Sequence, residues 1–161
     1  MAHRPGIAYA PRNGTMVALV AEVAVNLESG ELKVKRFVVA HDCGHVINPS
    51  SLLGTIEANL VQGLSRTLHE AVQFNAREVL SRDWVTYPIL NSTETPGAVD
   101  VVMLNNRPDT KLYGAGEPAT RPVAAVIGNA LFDATGVRVR TIPFTRPALV
   151  AAFQAAGAVP A

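Results

Sequence analysis

The run Thr15-Met16-Val17-Ala18-Leu19-Val20-Ala21-Glu22-Val23-Ala24-Val25-Asn26 and its return, Glu31-Leu32-Lys33-Val34-Lys35-Arg36-Phe37-Val38-Val39-Ala40, set the architecture of this chain. Val17, Leu19, Ala21, Val23 and Val25 recur at every second position, the period of a strand that buries one face. Glu22 falls on the other face. In the return run Leu32, Val34, Arg36 and Val38 alternate with Lys33, Lys35, Phe37 and Val39. Asn26 to Glu31, with Ser29-Gly30, supplies the turn. Two alternating runs joined by a short glycine-containing loop predict a β-hairpin.

Outward from the hairpin the period changes. His41-Asp42-Cys43-Gly44-His45-Val46-Ile47-Asn48-Pro49-Ser50-Ser51 reads as a polar loop leading into a helix. Asn48 suits the N-cap and Pro49 the first helical position. The helix is expected to run to about Glu70, burying Leu52, Leu53, Ile56, Leu60, Leu64 and Leu68 at helical spacing. Gln62 and Gly63 lie off that stripe. A mid-helix glycine costs about 1 kcal/mol relative to alanine, so something should approach closely there, either a second helix or a ligand. A second amphipathic helix spans Pro122 to Asp133, with Val123, Val126, Ile127, Ala130, Leu131 and Ala134 in register. Thr120 is its expected cap and Gly136 its end. A last short helix starts at Thr145 and carries Leu149, Val150 and Phe153.

Between the helices, Ala71–Phe74, Glu78–Trp84, Ala98–Leu104 and Val137–Thr141 read as strands, and Asn105–Thr110 as a polar loop. Tyr87 precedes a proline, so Thr86–Leu90 should be extended. Pro5, Gly6, Pro11 and Gly14 make residues 1–14 an irregular lead-in, and residues 156–161 a frayed tail. The expected domain is 15–155, of class α+β: two layers, with mixed β-sheets packed against two long helices and a short C-terminal helix.

The stretch most able to carry chemistry is Tyr113-Gly114-Ala115-Gly116-Glu117-Pro118. Its glycines open backbone conformations closed to other residues, and Pro118 pushes Glu117 away from helical angles. Placed near the positive end of the following helix, the Glu117 carboxylate is favoured in its ionised form. Such a group suits a general base or an anchor for a polar ligand. An ordinary helix cap has the same composition.

With 161 residues, 48% hydrophobic and 17% charged, the chain can bury a real core, and its low charged fraction hints at a covered surface. A net charge of +1 with scattered Lys and Arg gives no electrostatic footprint for nucleic acid. No apolar run is long enough to span a bilayer, and Met1–Gly6 lacks the apolar core of a signal peptide, so a cytoplasmic or periplasmic setting is expected. Cys43 is the lone cysteine, which excludes an internal disulfide and a cysteine-held iron–sulfur cluster. His41, Cys43 and His45 could approach a metal, but Asp42, Cys43 and Gly44 read as a turn of an ordinary polar loop. No metal-ligating residues are assigned.

Taken in order, Val20-Ala21-Glu22-Val23, His41 to Pro49, Glu57-Ala58-Asn59-Leu60-Val61-Gln62-Gly63-Leu64, Tyr87-Pro88-Ile89-Leu90 and Gly114-Ala115-Gly116-Glu117-Pro118 resemble the C-terminal part of the molybdenum-binding subunit of the xanthine dehydrogenase/aldehyde oxidase family. Their details resemble the isoquinoline 1-oxidoreductase-type beta subunit of bacteria. The resemblance implies a molybdenum ion held by a pterin, usually as the cytosine dinucleotide, with no protein cysteine on the metal. It implies an oxidoreductase that hydroxylates aldehydes or N-heteroaromatic carbons with water-derived oxygen, Glu117 being its general base. It makes Gln62 a pterin contact and places Gly63, Asn59 and Gly116 beside the cofactor. Asn59 stands where many relatives carry glycine. Electrons would leave through iron–sulfur clusters on another subunit or domain. The family's subunit is several times longer, so the isolated chain is expected to lack turnover and to hold little or no cofactor. The rival reading is a non-catalytic remnant or assembly module that binds another subunit through exposed apolar faces.

Overall fold

A computed structural model of the chain describes residues 1–104 and 109–159. Most of the expected loop Asn105–Thr110 and the last two residues of the tail lie outside the described residues. The hairpin is present as β2 (Thr15–Val25) and β3 (Leu32–Asp42), within one four-stranded sheet of order β1-β2-β3-β4. β4 is Ala98–Met103 and runs parallel to β3; the other pairs are antiparallel. The sheet is therefore mixed, as expected, but single.

The lead-in is not irregular. Ala2–Arg12 forms β1, paired along its whole length with β2. Its prolines are tolerated because β1 is an edge strand, where a missing N–H need not break a ladder. Asn13 and Gly14, with φ of 49° and 92°, make the tight left-handed link that a two-residue hairpin requires. Gly6 is needed for a different reason: a Cβ there would lie 2.3 Å from Val126 O and 2.4 Å from Ala130 N.

One row of the inner face runs Ala8-Leu19-Val39-Val101, and the neighbouring outer row runs Ile7-Val20-Val38-Asp100. The strict alternation expected along β3 is broken. Glu22 pairs with Arg36 but Val23 pairs with Val34, so Lys35 is an extra residue in a bulge. Val34 faces the core before the bulge; Phe37, Val39 and His41 face it afterwards.

Helix α1 spans Pro49–Leu68, with Asn48 Oδ1 accepting from Ser51 N at 3.0 Å. Its expected stripe is buried from Leu52 to Leu68, with Leu53 only half-buried at the edge. Helix α2 spans Val123–Thr135 and ends on Gly136 at φ 71°. It lies across β1 and β2 with α1 beside it, which makes the second layer. Helix α3 spans Arg146–Ala155 and is capped by Thr145, whose hydroxyl accepts from Ala148 N. Phe37, Ile56, Leu60, Leu64, Ile127 and Phe153 are fully buried at the centre. Burial of each stabilises the fold by about 1.5–3 kcal/mol.

Three expected strands are absent. In 71–84 only Phe74 and Val79 form a bridge, because Asn75 and Asp83 side chains accept from nearby backbone N–H groups and turn the chain locally. Val137 and Val139 do alternate toward the core, but with no ladder beside them they form no strand.

Candidate functional site

The Gly114–Thr120 segment is strapped to the fold from several directions. Tyr113 N donates to Cys43 O at 3.0 Å, and Thr15 Oγ1 donates to Gly114 O at 2.8 Å. Gly44, at φ 74°, lets the 42–45 turn lie against Lys111, whose carbonyl a Cβ would meet at 2.2 Å. Asp42 Oδ1 accepts from Gly44 N at 2.9 Å and shapes that turn. From α1, Asn59 Nδ2 donates to Gly116 O at 2.8 Å, and Asn59 Oδ1 accepts from Thr120 Oγ1 at 2.7 Å.

Glu117 is presented at the open side of this strap. Its side chain is 75% accessible, and Oε2 lies 3.5 Å from Arg12 Nη2. The expected helix-dipole support is not there. Glu117 precedes a 3-10 turn, Pro118–Thr120, and α2 starts only at Val123 with Pro122 as its N-cap. Dipole effects fade within one turn, so Arg12 takes over as the nearby positive group. Thr120 likewise does not cap α2, because its hydroxyl is engaged by Asn59.

Gly116 and Gly114 face open space: a Cβ on either would meet nothing within 4 Å. No described residue accepts a hydrogen bond from the N–H of Ala115, Gly116 or Glu117. Gln62 is exposed on α1, about 60° around the helix from Asn59. Gly63 is accounted for by helix packing: a Cβ would lie 2.7 Å from Val123 Cγ2. Asn59 is buried, and its amide is engaged by Thr55 O, Gly116 O and Thr120 Oγ1.

A shallow depression of about 290 Å³ adjoins the turn, lined by Cys43, His45, Asn48, Thr55, Tyr113 and Gly116. A larger groove of about 920 Å³ lies elsewhere, among Lys33, His69, Asn91, Glu94 and Arg146. It touches none of the expected site residues. His41, Cys43 and His45 do not converge: His41 and Cys43 are buried while His45 is exposed, and no metal-binding group of three is found among the described residues. Burial pushes the Cys43 thiol up in pKa and, as the largest effect, the His41 imidazole down. Arg12 and Thr15 were not legible as site residues, since they reach Glu117 and its turn across long sequence separations, and Thr120 reads from sequence only as a helix cap.

Residues 6–96 match the molybdopterin cofactor-binding domain family. The chain is 43% identical over 143 residues to a nicotinate dehydrogenase subunit of Pseudomonas putida, covering 89% of this chain and 12% of that protein. It is 33% identical over 144 residues to the beta subunit of isoquinoline 1-oxidoreductase from Brevundimonas diminuta, covering 89% and 18%. The solved aldehyde oxidoreductase of Desulfovibrio gigas superposes with a TM-score of 0.76 at 26% identity, covering 87% of this chain and 15% of that one. The chain thus spans under a fifth of the length of each. The donor set fits a pterin cofactor, which is gripped by hydrogen bonds rather than by protein ligands on its metal. Among the described residues the turn's N–H groups and the Gln62 amide have no partner, and Gly114 and Gly116 border open space. With 91 of its 161 residues inside the family match, the chain belongs to the molybdopterin cofactor-binding domain family.

Proposed function

We propose that this chain is the C-terminal cofactor-binding part of the catalytic subunit of a molybdenum hydroxylase, and that Glu117 is its general base. The observation that carries the reading is the presentation of Glu117: an open carboxylate on a glycine turn whose N–H groups have no partner among the described residues, with Thr15 and Asn59 gripping the turn from behind. Arg12 sits against Oε2, which leaves Oε1 to accept the proton released as the water-derived oxygen attacks the substrate carbon. Gln62 and the N–H groups of Ala115 and Gly116 would hold the pterin; Gly63 and Asn59 would serve the cofactor site from α1 by supporting the turn from behind. Bound there, the cofactor supplies the two-electron redox chemistry of the hydroxylation.

The relatives act on nicotinate, isoquinoline and aldehydes by name, which supports an aldehyde or N-heteroaromatic substrate for this chain. A cofactor in its cytosine dinucleotide form and iron–sulfur clusters on a partner belong to the same reading. Among the described residues no helix is long and apolar enough to cross a membrane. Exposed Phe74, Trp84 and Val85 favour association with the remainder of the subunit, the property the assembly-module reading shares.

The test places this chain in the matching segment of the Pseudomonas putida nicotinate dehydrogenase. Glu117→Gln should keep the molybdenum content and lower turnover by several orders of magnitude. Near-normal turnover in that variant removes Glu117 from its role. The chain expressed alone should carry little or no molybdenum; stoichiometric metal would refute that part.

A further inference from the structure

We infer that Asn59 is a positioning residue for Glu117, holding the backbone on both sides of it without touching a ligand. The inference rests on the reading of Glu117 as the base.

Asparagine is a poor residue for the middle of a helix, disfavoured against alanine by about 0.5 kcal/mol, and its amide is costly to bury unpaired. Here it is buried to 7% exposure and satisfied on both ends. Nδ2 donates to Thr55 O at 2.7 Å, inside α1, and to Gly116 O at 2.8 Å, across the gap to the turn. Oδ1 accepts from Thr120 Oγ1 at 2.7 Å. Gly116 lies one residue before Glu117 and Thr120 three residues after it. One rigid side chain on a 20-residue helix therefore fixes both flanks of an exposed carboxylate.

Burial of Pro118 and Ala119 and the Thr120 N–H to Glu117 O bond anchor the backbone after Glu117, but the remaining restraints do not tie its two flanks together. Thr15 grips the turn only at Gly114. The Arg12 contact is an exposed ion pair of the kind worth about 0–1 kcal/mol, and it leaves the backbone free to move. Gly114 and Gly116 themselves resist nothing, since no neighbouring atom lies within 4 Å of where their Cβ atoms would be. A base must hold its oxygen within a fraction of an ångström of the proton it removes, so looseness here reads out in the chemical step.

The experiment compares Asn59→Leu, Thr120→Val, Thr120→Ser and Glu117→Gln. In the 161-residue chain, hydrogen exchange of the Thr120 and Arg121 amides, which donate to Glu117 O and Pro118 O, should quicken about tenfold in Asn59→Leu and Thr120→Val, while α3 amides keep their rates. Thr120→Ser should retain the slow exchange. In the complete subunit carrying this chain, Asn59→Leu and Thr120→Val should lower kcat about 10- to 100-fold with KM and molybdenum content unchanged. Thr120→Val gives the same reading where Asn59→Leu fails to fold. Lost turnover in Glu117→Gln beside full kcat in Thr120→Val and any folded Asn59→Leu overturns the positioning role alone. Retained turnover in Glu117→Gln overturns the base and the positioning role together.

Discussion

His41 is the residue whose surroundings least suit its chemistry. It is fully buried at the end of β3, and neither Nδ1 nor Nε2 has a hydrogen-bond partner among the described residues. Burial pushes its pKa below the ordinary histidine value of 6.5, and the neighbouring Asp42 only partly opposes this. The unfolded chain therefore binds a proton below about pH 6.5 that the folded chain refuses. Folding stability should be insensitive to this group above that pH and should fall as the pH drops through it, by at most about 1.4 kcal/mol per pH unit. Urea unfolding at pH 7.5 and pH 5 should show the loss, and His41→Phe should reduce it; an unchanged pH slope in His41→Phe would assign the loss to other groups.

Between elements, the contact of β1 with α2 depends on one missing side chain. Gly6 pairs with Ala21 in the sheet, and the helix backbone at Val126 and Ala130 closes over it. A methyl there meets backbone, which cannot rotate away as a side-chain end can. Gly6→Ala should cost about 2–3 kcal/mol, visible as a lower urea midpoint. Because β1 also ends at Arg12, the same variant should disturb the Arg12–Glu117 contact. An unchanged midpoint would mean that α2 shifts freely along the sheet. Gly63 marks the equivalent approach of α1 to α2 through Val123. Gly6 sets the distance between sheet and helix layer, Gly63 the spacing of α1 and α2 within that layer, and together they fix where the Pro118–Thr120 turn sits.

The molecule as a whole leaves much apolar surface in solvent. Trp84 is 77% and Val85 87% exposed in the irregular 71–90 segment, and Ile7 and Tyr9 are exposed on the outer face of the sheet. Chains of this size expose single apolar residues routinely, but not in groups. The relatives are several times longer, and under the proposed function their additional segments cover such surfaces. Trp84 is the sole tryptophan, so its emission reports one place. It should be red and readily quenched by acrylamide in the isolated chain, then blue-shifted and protected in the complete subunit. Unaltered emission on assembly would show that the 71–90 segment stays in water.

The sequence by itself determined the elements whose partners are local. The β2–β3 hairpin, the Asn48-Pro49 start of α1, the Gly136 end of α2 and the Thr145 cap of α3 all rest on a residue's own backbone preference or on neighbours within one turn. The order of motifs also sufficed to mark the family, and the role proposed for Glu117 rests on the same resemblance. Tertiary structure decided what depends on distant partners. Ala2–Arg12 became a strand because β2 offered an edge, while 137–141 remained without a ladder partner. The Lys35 bulge shifted the buried face of β3, a choice that the register against β2 makes and periodicity cannot foretell. The same holds for the site. Sequence placed a carboxylate on a glycine turn, but Arg12, Thr15 and Asn59 reach that turn from other elements, Asn59 partly through the Thr120 hydroxyl. A hydrogen bond spanning 57 residues leaves no periodic mark in the chain, so only the folded packing reveals what holds Glu117 in place.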